Sequence, residues 1–137
     1  MKNARSRRAQ RGMTLIEIMV VVIIIGLIGT AVAVNVFGNL AEAKVKTAKS
    51  DIAKISEAVD TYKVLRGRFP STEEGLGLLV QEKLLKPNKE GKVKDPWDRE
   101  YVYLSPGQVH ADAYDVKSYG ADGAPGGEGE NADLVNN

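Results

Sequence analysis

Few residues in this chain of 137 could do chemistry, and they fall in two places. The first is Glu17, which follows Gly12, Met13, Thr14, Leu15 and Ile16 and opens an almost unbroken apolar run to Val34. A carboxylate inside an apolar membrane segment costs about 2.5 kcal/mol or more unless it is paired or protonated. Either Glu17 lies near an interface and stays hydrated, or it meets a cation. Cleavage after Gly12 would release an α-amino group on Met13, about one helical turn away. An amine and a carboxylate so spaced neutralise each other within one chain or between neighbours. The second place is the tail. After Lys117 no positive charge follows, while Asp122, Glu128, Glu130 and Asp133 accumulate among Gly120, Gly123, Gly126, Gly127 and Gly129. That composition reads equally as a flexible acidic tail or as a loop whose carboxylates and carbonyls surround a hard cation. Ca²⁺ takes oxygen ligands in flexible geometry, and glycines let a backbone wrap it, although the spacing does not fit an EF-hand.

The rest of the inventory excludes more than it offers. There is no cysteine, hence no disulfide framework, thiolate chemistry or zinc-finger site. His110, the one histidine, lies between two expected strands with no second His, Cys or paired acid nearby, and reads as a surface residue. No nucleophile–base pair or paired-carboxylate cleft can be assembled, so the chain reads as a non-enzyme. The net charge of +1 hides an asymmetry: Lys2, Arg5, Arg7, Arg8 and Arg11 precede Gly12 without an acid, leaving 14 basic residues against 18 acids in the remainder. With no basic face interleaved with aromatics, nucleic acid is not an expected partner.

Both sites need elements to position them. A secretory signal peptide has its cleavage site beyond the apolar core, whereas the best candidate here, Gly12, precedes it. Cleavage there keeps the apolar segment as an anchor. From Ile18 to Val34 the one polar side chain is Thr30, and the length suffices for a spanning helix when Leu15 and Ile16 are added. The basic leader holds the amino terminus on the cytoplasmic side. Gly26 and Gly29 read either as sites of close helix approach or as the ordinary glycine content of membrane helices.

Past Phe37 the pattern turns amphipathic. Val45, Ala48, Ile52, Ile55, Val59 and Tyr62 recur at three- and four-residue steps, with Lys44, Lys49, Lys54, Glu57 and Lys63 mostly elsewhere. This stripe is expected to pack under the chain's own domain, with Gly67 and Pro70 ending the helix. Met13 to Arg66 would span about 80 Å if continuous. Ser71 to Glu74 reads as a capping box opening a short helix through Leu76, Leu79, Val80 and Leu84, closed by Pro87. Strands are expected at 101–104 and 114–119, with Trp97 as a core plug.

Arg11-Gly12-Met13-Thr14-Leu15-Ile16-Glu17 resembles the class III signal of type IV pilins and type II secretion pseudopilins. In that family a prepilin peptidase cuts after the Gly and N-methylates the new first residue, here Met13 where Phe is usual. The Glu matching Glu17 is implicated in assembly through the amino terminus of an adjacent subunit. The family often has Pro where Val34 stands, so the helix's course there is left open. Phe69-Pro70-Ser71-Thr72-Glu73-Glu74-Gly75-Leu76, Asp95-Pro96-Trp97, Tyr101 and Ser105-Pro106-Gly107 are similar to the major pseudopilins of type II secretion, from Gly12 to about Asp133. Asp98 stands where that family usually has Gly.

The resemblance implies an α+β, type IV pilin-like fold: a long N-terminal helix packed on a small antiparallel sheet head, with a C-terminal metal-binding loop. Residues 1–12 would be a cleaved leader, 13–37 a transmembrane and filament-core helix, and 38–137 a periplasmic head. It implies a helical homopolymer growing from the inner membrane and promoting export of folded proteins across the outer membrane. Minor pseudopilins, an inner-membrane assembly platform and the peptidase/methyltransferase would be partners. It also implies Ca²⁺ in the C-terminal loop, held by Asp122 and Asp133, then Asn131 or Glu130, and the Tyr119 carbonyl. The alternatives are a type IV pilin of a surface filament and a membrane-tethered Ca²⁺-binding module.

Overall fold

A computed structural model of the chain describes residues 12–137; most of the expected leader, residues 1–11, lies outside the described residues. Two compact units divide the chain, one ending at Gly38 and one covering Asn39–Asn137. Helix α1 (Leu15–Arg66) begins in the first and ends in the second.

The N-terminal unit follows from composition. Its apolar side chains point all round the helix, so no single face can be covered by one neighbouring element. Among its described residues the apolar window is wholly unburied within the single chain, and it is long and apolar enough to cross a membrane. A Cβ added at Gly26 or Gly29 would meet nothing within 4 Å, so bare backbone is open to a neighbour at both positions.

In the second unit the amphipathic stripe behaves as its spacing predicts. Ala48, Ile52, Ile55, Ala58, Val59 and Tyr62 are buried, and Val45 packs against them in part. They meet Leu76 and Leu79 of α2 (Gly75–Gln81) and residues of a three-stranded antiparallel sheet. The sheet has the order β1 (Val102–Leu104), β2 (Asp115–Ser118), β3 (Leu134–Val135). Tyr103 pairs with Val116 across β1 and β2, and Ser118 with Leu134 across β2 and β3. Tyr114 links sheet to helix: its hydroxyl lies 3.1 Å from both the Ser56 carbonyl and Asp60 Oδ1, and burial pushes it up to about 12. Trp97 packs partly buried against this core.

Four details differ from expectation. The capping box forms, with Ser71 N–H donating to Glu74 (2.8 Å) and Glu74 N–H to Ser71 Oγ (3.2 Å). Hydrogen bonding to Arg68, then to Ser71, holds the Glu74 carboxyl down at about 2. Yet α2 begins only at Gly75, whose φ of +57° interrupts the turn, and it ends at Gln81, short of Leu84, because Lys83 turns left-handed at φ +59°.

Asp98 occupies φ +68°, a conformation that costs a side chain and suits glycine, which accounts for the family's usual residue there. His110 is not without an acid: its Nδ1 lies 2.8 Å from Oδ1 of the buried Asp115, five residues on. Burial alone would push the Asp115 carboxyl up. Hydrogen bonds from Val109 N–H, the His110 side chain, His110 N–H and Gln108 N–H outweigh it and hold the carboxyl below the usual range. The fourth difference is β3, which lay in a segment read as tail or loop. Asn136 fastens it: its Oδ1 accepts from Val116 N–H at 2.7 Å and its Nδ2 donates to the Tyr114 carbonyl.

Candidate functional site

The first candidate site is the lip of α1. Gly12 and Met13 precede the helix in non-helical, exposed backbone, Met13 being 67% exposed, so the bond between them is open to an enzyme. Glu17 is not left unsatisfied. Its Oε2 accepts from Thr14 N–H at 3.1 Å and from Thr14 Oγ1 at 3.3 Å, while Glu17 N–H donates back to Thr14 Oγ1 at 3.3 Å. This is a reciprocal capping box, with Thr14 in the N-cap role and Glu17 three positions on. The carboxylate also faces the positive end of the helix dipole. Thr14 was the site residue that sequence reasoning missed. Its signal is a Thr followed three residues later by Glu immediately before an apolar run. The box explains why α1 starts at Leu15 and not at Met13.

The second candidate site is the loop between β2 and β3. It is ordered by its own backbone, not a free tail. Ala121 N–H donates to the Glu130 carbonyl at 2.8 Å, which brings the 119–123 and 130–133 segments together. Gly120 is buried there: a Cβ on it would meet the Glu130 carbonyl oxygen at 2.6 Å. A 3₁₀ turn, Gly129–Asn131, carries the chain into β3.

The expected ligands are distributed unevenly around this junction. The Tyr119 carbonyl accepts from Gly123 N–H at 3.2 Å and keeps a second lone pair. Asp122 is exposed, with Oδ1 taking the Ala124 N–H at 3.1 Å. Glu130 is exposed, and Asn131 and Asp133 are half-buried. Asp133 Oδ1 is buried without any hydrogen-bond partner. Such an acceptor is costly unless something positive reaches it. Among the described residues no three of His, Cys, Asp and Glu gather as a metal cluster. A cation here would therefore draw on carbonyls as well as carboxylates, which is ordinary for Ca²⁺ and unusual for transition metals. The donor set fits a hard cation.

The family described as "Type II secretion system (T2SS), protein G" matches residues 35–137. The chain belongs to this family of major pseudopilins. The prokaryotic N-terminal methylation motif matches residues 7–33, which contain Gly12, Met13 and Glu17. Type II secretion system core protein G of Pseudomonas aeruginosa is 43% identical over 95% of this chain and 96% of its own length. The Escherichia coli protein of the same description is also 43% identical, over 90% of each chain. The crystal structure of the major pseudopilin from the type 2 secretion system of enterohaemorrhagic Escherichia coli superposes with a TM-score of 0.53. It is 32% identical, and the match covers 74% of this chain and 93% of that one. A methylation motif and an apolar N-terminal helix are the pattern of a membrane-anchored pseudopilin, which is a structural subunit.

Proposed function

We propose that the chain is the major structural subunit of a type II secretion pseudopilus, polymerising from the inner membrane to promote export of folded proteins across the outer membrane. The observation that carries this reading is an apolar helix unburied in the single chain, with a methylation motif and a carboxylate at its lip. In the bilayer, lipid covers the apolar surface; in a filament, neighbouring helices do. The leader keeps the amino terminus cytoplasmic and the second unit periplasmic.

A peptidase cuts after Gly12 and methylates Met13. The new amine then lies next to Thr14, which already holds Glu17, so amine and carboxylate can pair within a subunit or between neighbours. Any packing that leaves Glu17 unpaired in apolar surroundings is penalised. Minor pseudopilins and an inner-membrane platform complete the assembly. The secretion-system descriptions of the relatives favour this role over a surface-filament pilin. Glu17→Ala should abolish filament formation and secretion while leaving unfolding of the second unit unchanged. Full secretion by Glu17→Ala would sink the filament reading and leave a membrane-tethered monomer.

The second part of the proposal is that the β2–β3 loop holds Ca²⁺ through Asp122, Asp133 and the Tyr119 carbonyl, with Asn131 or Glu130 completing the set. Bound Ca²⁺ would supply the positive charge that Asp133 Oδ1 lacks. Millimolar Ca²⁺ should raise the melting temperature of the detergent-solubilised full chain, and Asp122→Ala should remove the shift. A melting temperature indifferent to both Ca²⁺ and chelator would contradict the site.

A further inference from the structure

Arg99 is a cation that neither the filament nor the calcium reading uses. It ends a tight turn organised by Asp95, a carboxylate only 6% exposed. Asp95 Oδ1 accepts from Trp97 N–H at 3.0 Å and Arg99 N–H at 2.9 Å, and Asp95 N–H donates to the Arg99 carbonyl at 2.7 Å. From that fixed backbone the guanidinium reaches across to the loop after β2. Its Nη1 donates to the Gly120 carbonyl at 2.6 Å and its Nη2 to the Ala121 carbonyl at 2.8 Å. The same turn holds the loop from behind: Ser118 Oγ donates to Asp95 Oδ2 at 2.7 Å and accepts from Gly120 N–H at 3.3 Å. Gly123 sits against the guanidinium, so that a Cβ there would come within 2.6 Å of Arg99 Nε.

Among the described residues Arg99 forms no ion pair with a carboxylate. Its fork is committed to two successive carbonyls instead. A planar guanidinium can bridge them, whereas an ammonium cannot hold both in one plane. By contrast, the 130–133 segment is joined to this half through the Ala121–Glu130 bond, and its Asp133 Oδ1 has no partner.

We infer that Arg99 is a positioning residue, a resident cation that keeps the Gly120–Gly123 half of the loop folded whether or not a metal is bound. It occupies the Gly120 and Ala121 carbonyls with a charged donor. On this half the Tyr119 carbonyl and Asp122, which take only neutral backbone N–H groups, are left to bind a metal. The exchangeable cation is needed by the 130–133 half; this last clause rests on the calcium reading, the rest does not.

Residue-resolved amide exchange on the full chain in detergent, in EGTA and in CaCl₂, tests the inference. In the wild type the amides of Gly120 and Gly123 should be equally protected in both, while those of Asn131, Ala132 and Asp133, and that of Ala121, whose acceptor is the Glu130 carbonyl, gain protection with Ca²⁺. Arg99→Met should exchange about tenfold faster at Gly120 and Gly123 in EGTA, from loss of two charge-assisted hydrogen bonds. Ca²⁺ should restore that protection. Arg99→Lys should behave like Arg99→Met, and Gly123→Ala should reproduce the loss with Arg99 in place. Three results would overturn the clamp: wild-type Gly120 and Gly123 amides that open in EGTA, an Arg99→Met variant unchanged there, or equal acceleration at Tyr103 and Val116, which would mark general loosening. Wild-type protection in Arg99→Lys would show that charge suffices and refute the fork. If Ca²⁺ alters no wild-type amide, the calcium reading fails, and the EGTA comparison still decides the clamp.

Discussion

Ile16 and Leu27 of the N-terminal unit are 70% and 67% exposed, whereas Ile55 and Leu79 of the second unit are 1% and 0% exposed. The side chains are of the same kind and three of the four lie on the same helix. What differs is the pattern around them. A stripe with charged residues between its members can be covered by one sheet and one short helix, and Asn39–Asn137 does this for itself. An apolar surface on all sides has no such internal solution and calls for lipid or for other subunits. The polar chemistry divides in the same way. At the helix lip Glu17 satisfies Thr14 with a side chain and a backbone group that are exposed. In the second unit Asp115 and Asp95 satisfy theirs in buried turns.

The contrast predicts unequal responses to the same substitution. Ile55→Ala should destabilise the second unit by about 2–5 kcal/mol in denaturant titration, the usual cost of a deleted core side chain. Ile24→Ala should leave that transition within about 0.5 kcal/mol, since it removes nothing from that core. Equal losses would erase the distinction between the units.

Asp115 should come next. Asp115→Ala leaves the N–H groups of Gln108, Val109 and His110 without their acceptor and should cost about 1–3 kcal/mol. Because the folded carboxyl is held below its unfolded value, its contribution is complete above roughly pH 4 and is lost as the pH falls through the lower folded value. Stability measured against pH should therefore decline on acidification, and Asp115→Asn should flatten part of that decline. A variant that keeps the full acid slope would assign the slope to other carboxylates, Glu74 first among them.

Of the changes that should shift the stability of the second unit, the smallest is expected at Asp98. Replacing it by Gly relieves a left-handed residue but gives up the 2.9 Å contact with Lys94. A net gain of about 0.5–1 kcal/mol is expected, because the lost pair is exposed on the acid's side. A loss would mean that the pair outweighs the backbone strain.

Periodicity and spacing made the large features legible. The change from an all-apolar run to a three- and four-residue stripe near Phe37 marked where exposure gives way to burial, and Ser71 with Glu74 marked a cap that forms as read. The alternation in Tyr114–Tyr119 placed β2. What escaped were features decided by partners far along the chain or by single dihedral angles. Leu134 and Val135 are too few to show a period, and they become a strand because Asn136 ties them to Val116. His110 meets Asp115 through a turn that no short window brings together. Arg99 carries no such signal, because its two carbonyl partners lie 21 and 22 residues away and backbone acceptors have no residue type to read.

If the lip of α1 is a processing and assembly site, intact-mass analysis of the membrane-extracted chain should find a single species lacking residues 1–12 and carrying one added methyl group, located to Met13 by fragmentation. A chain that retains its first 12 residues while the secretion system is active would contradict it.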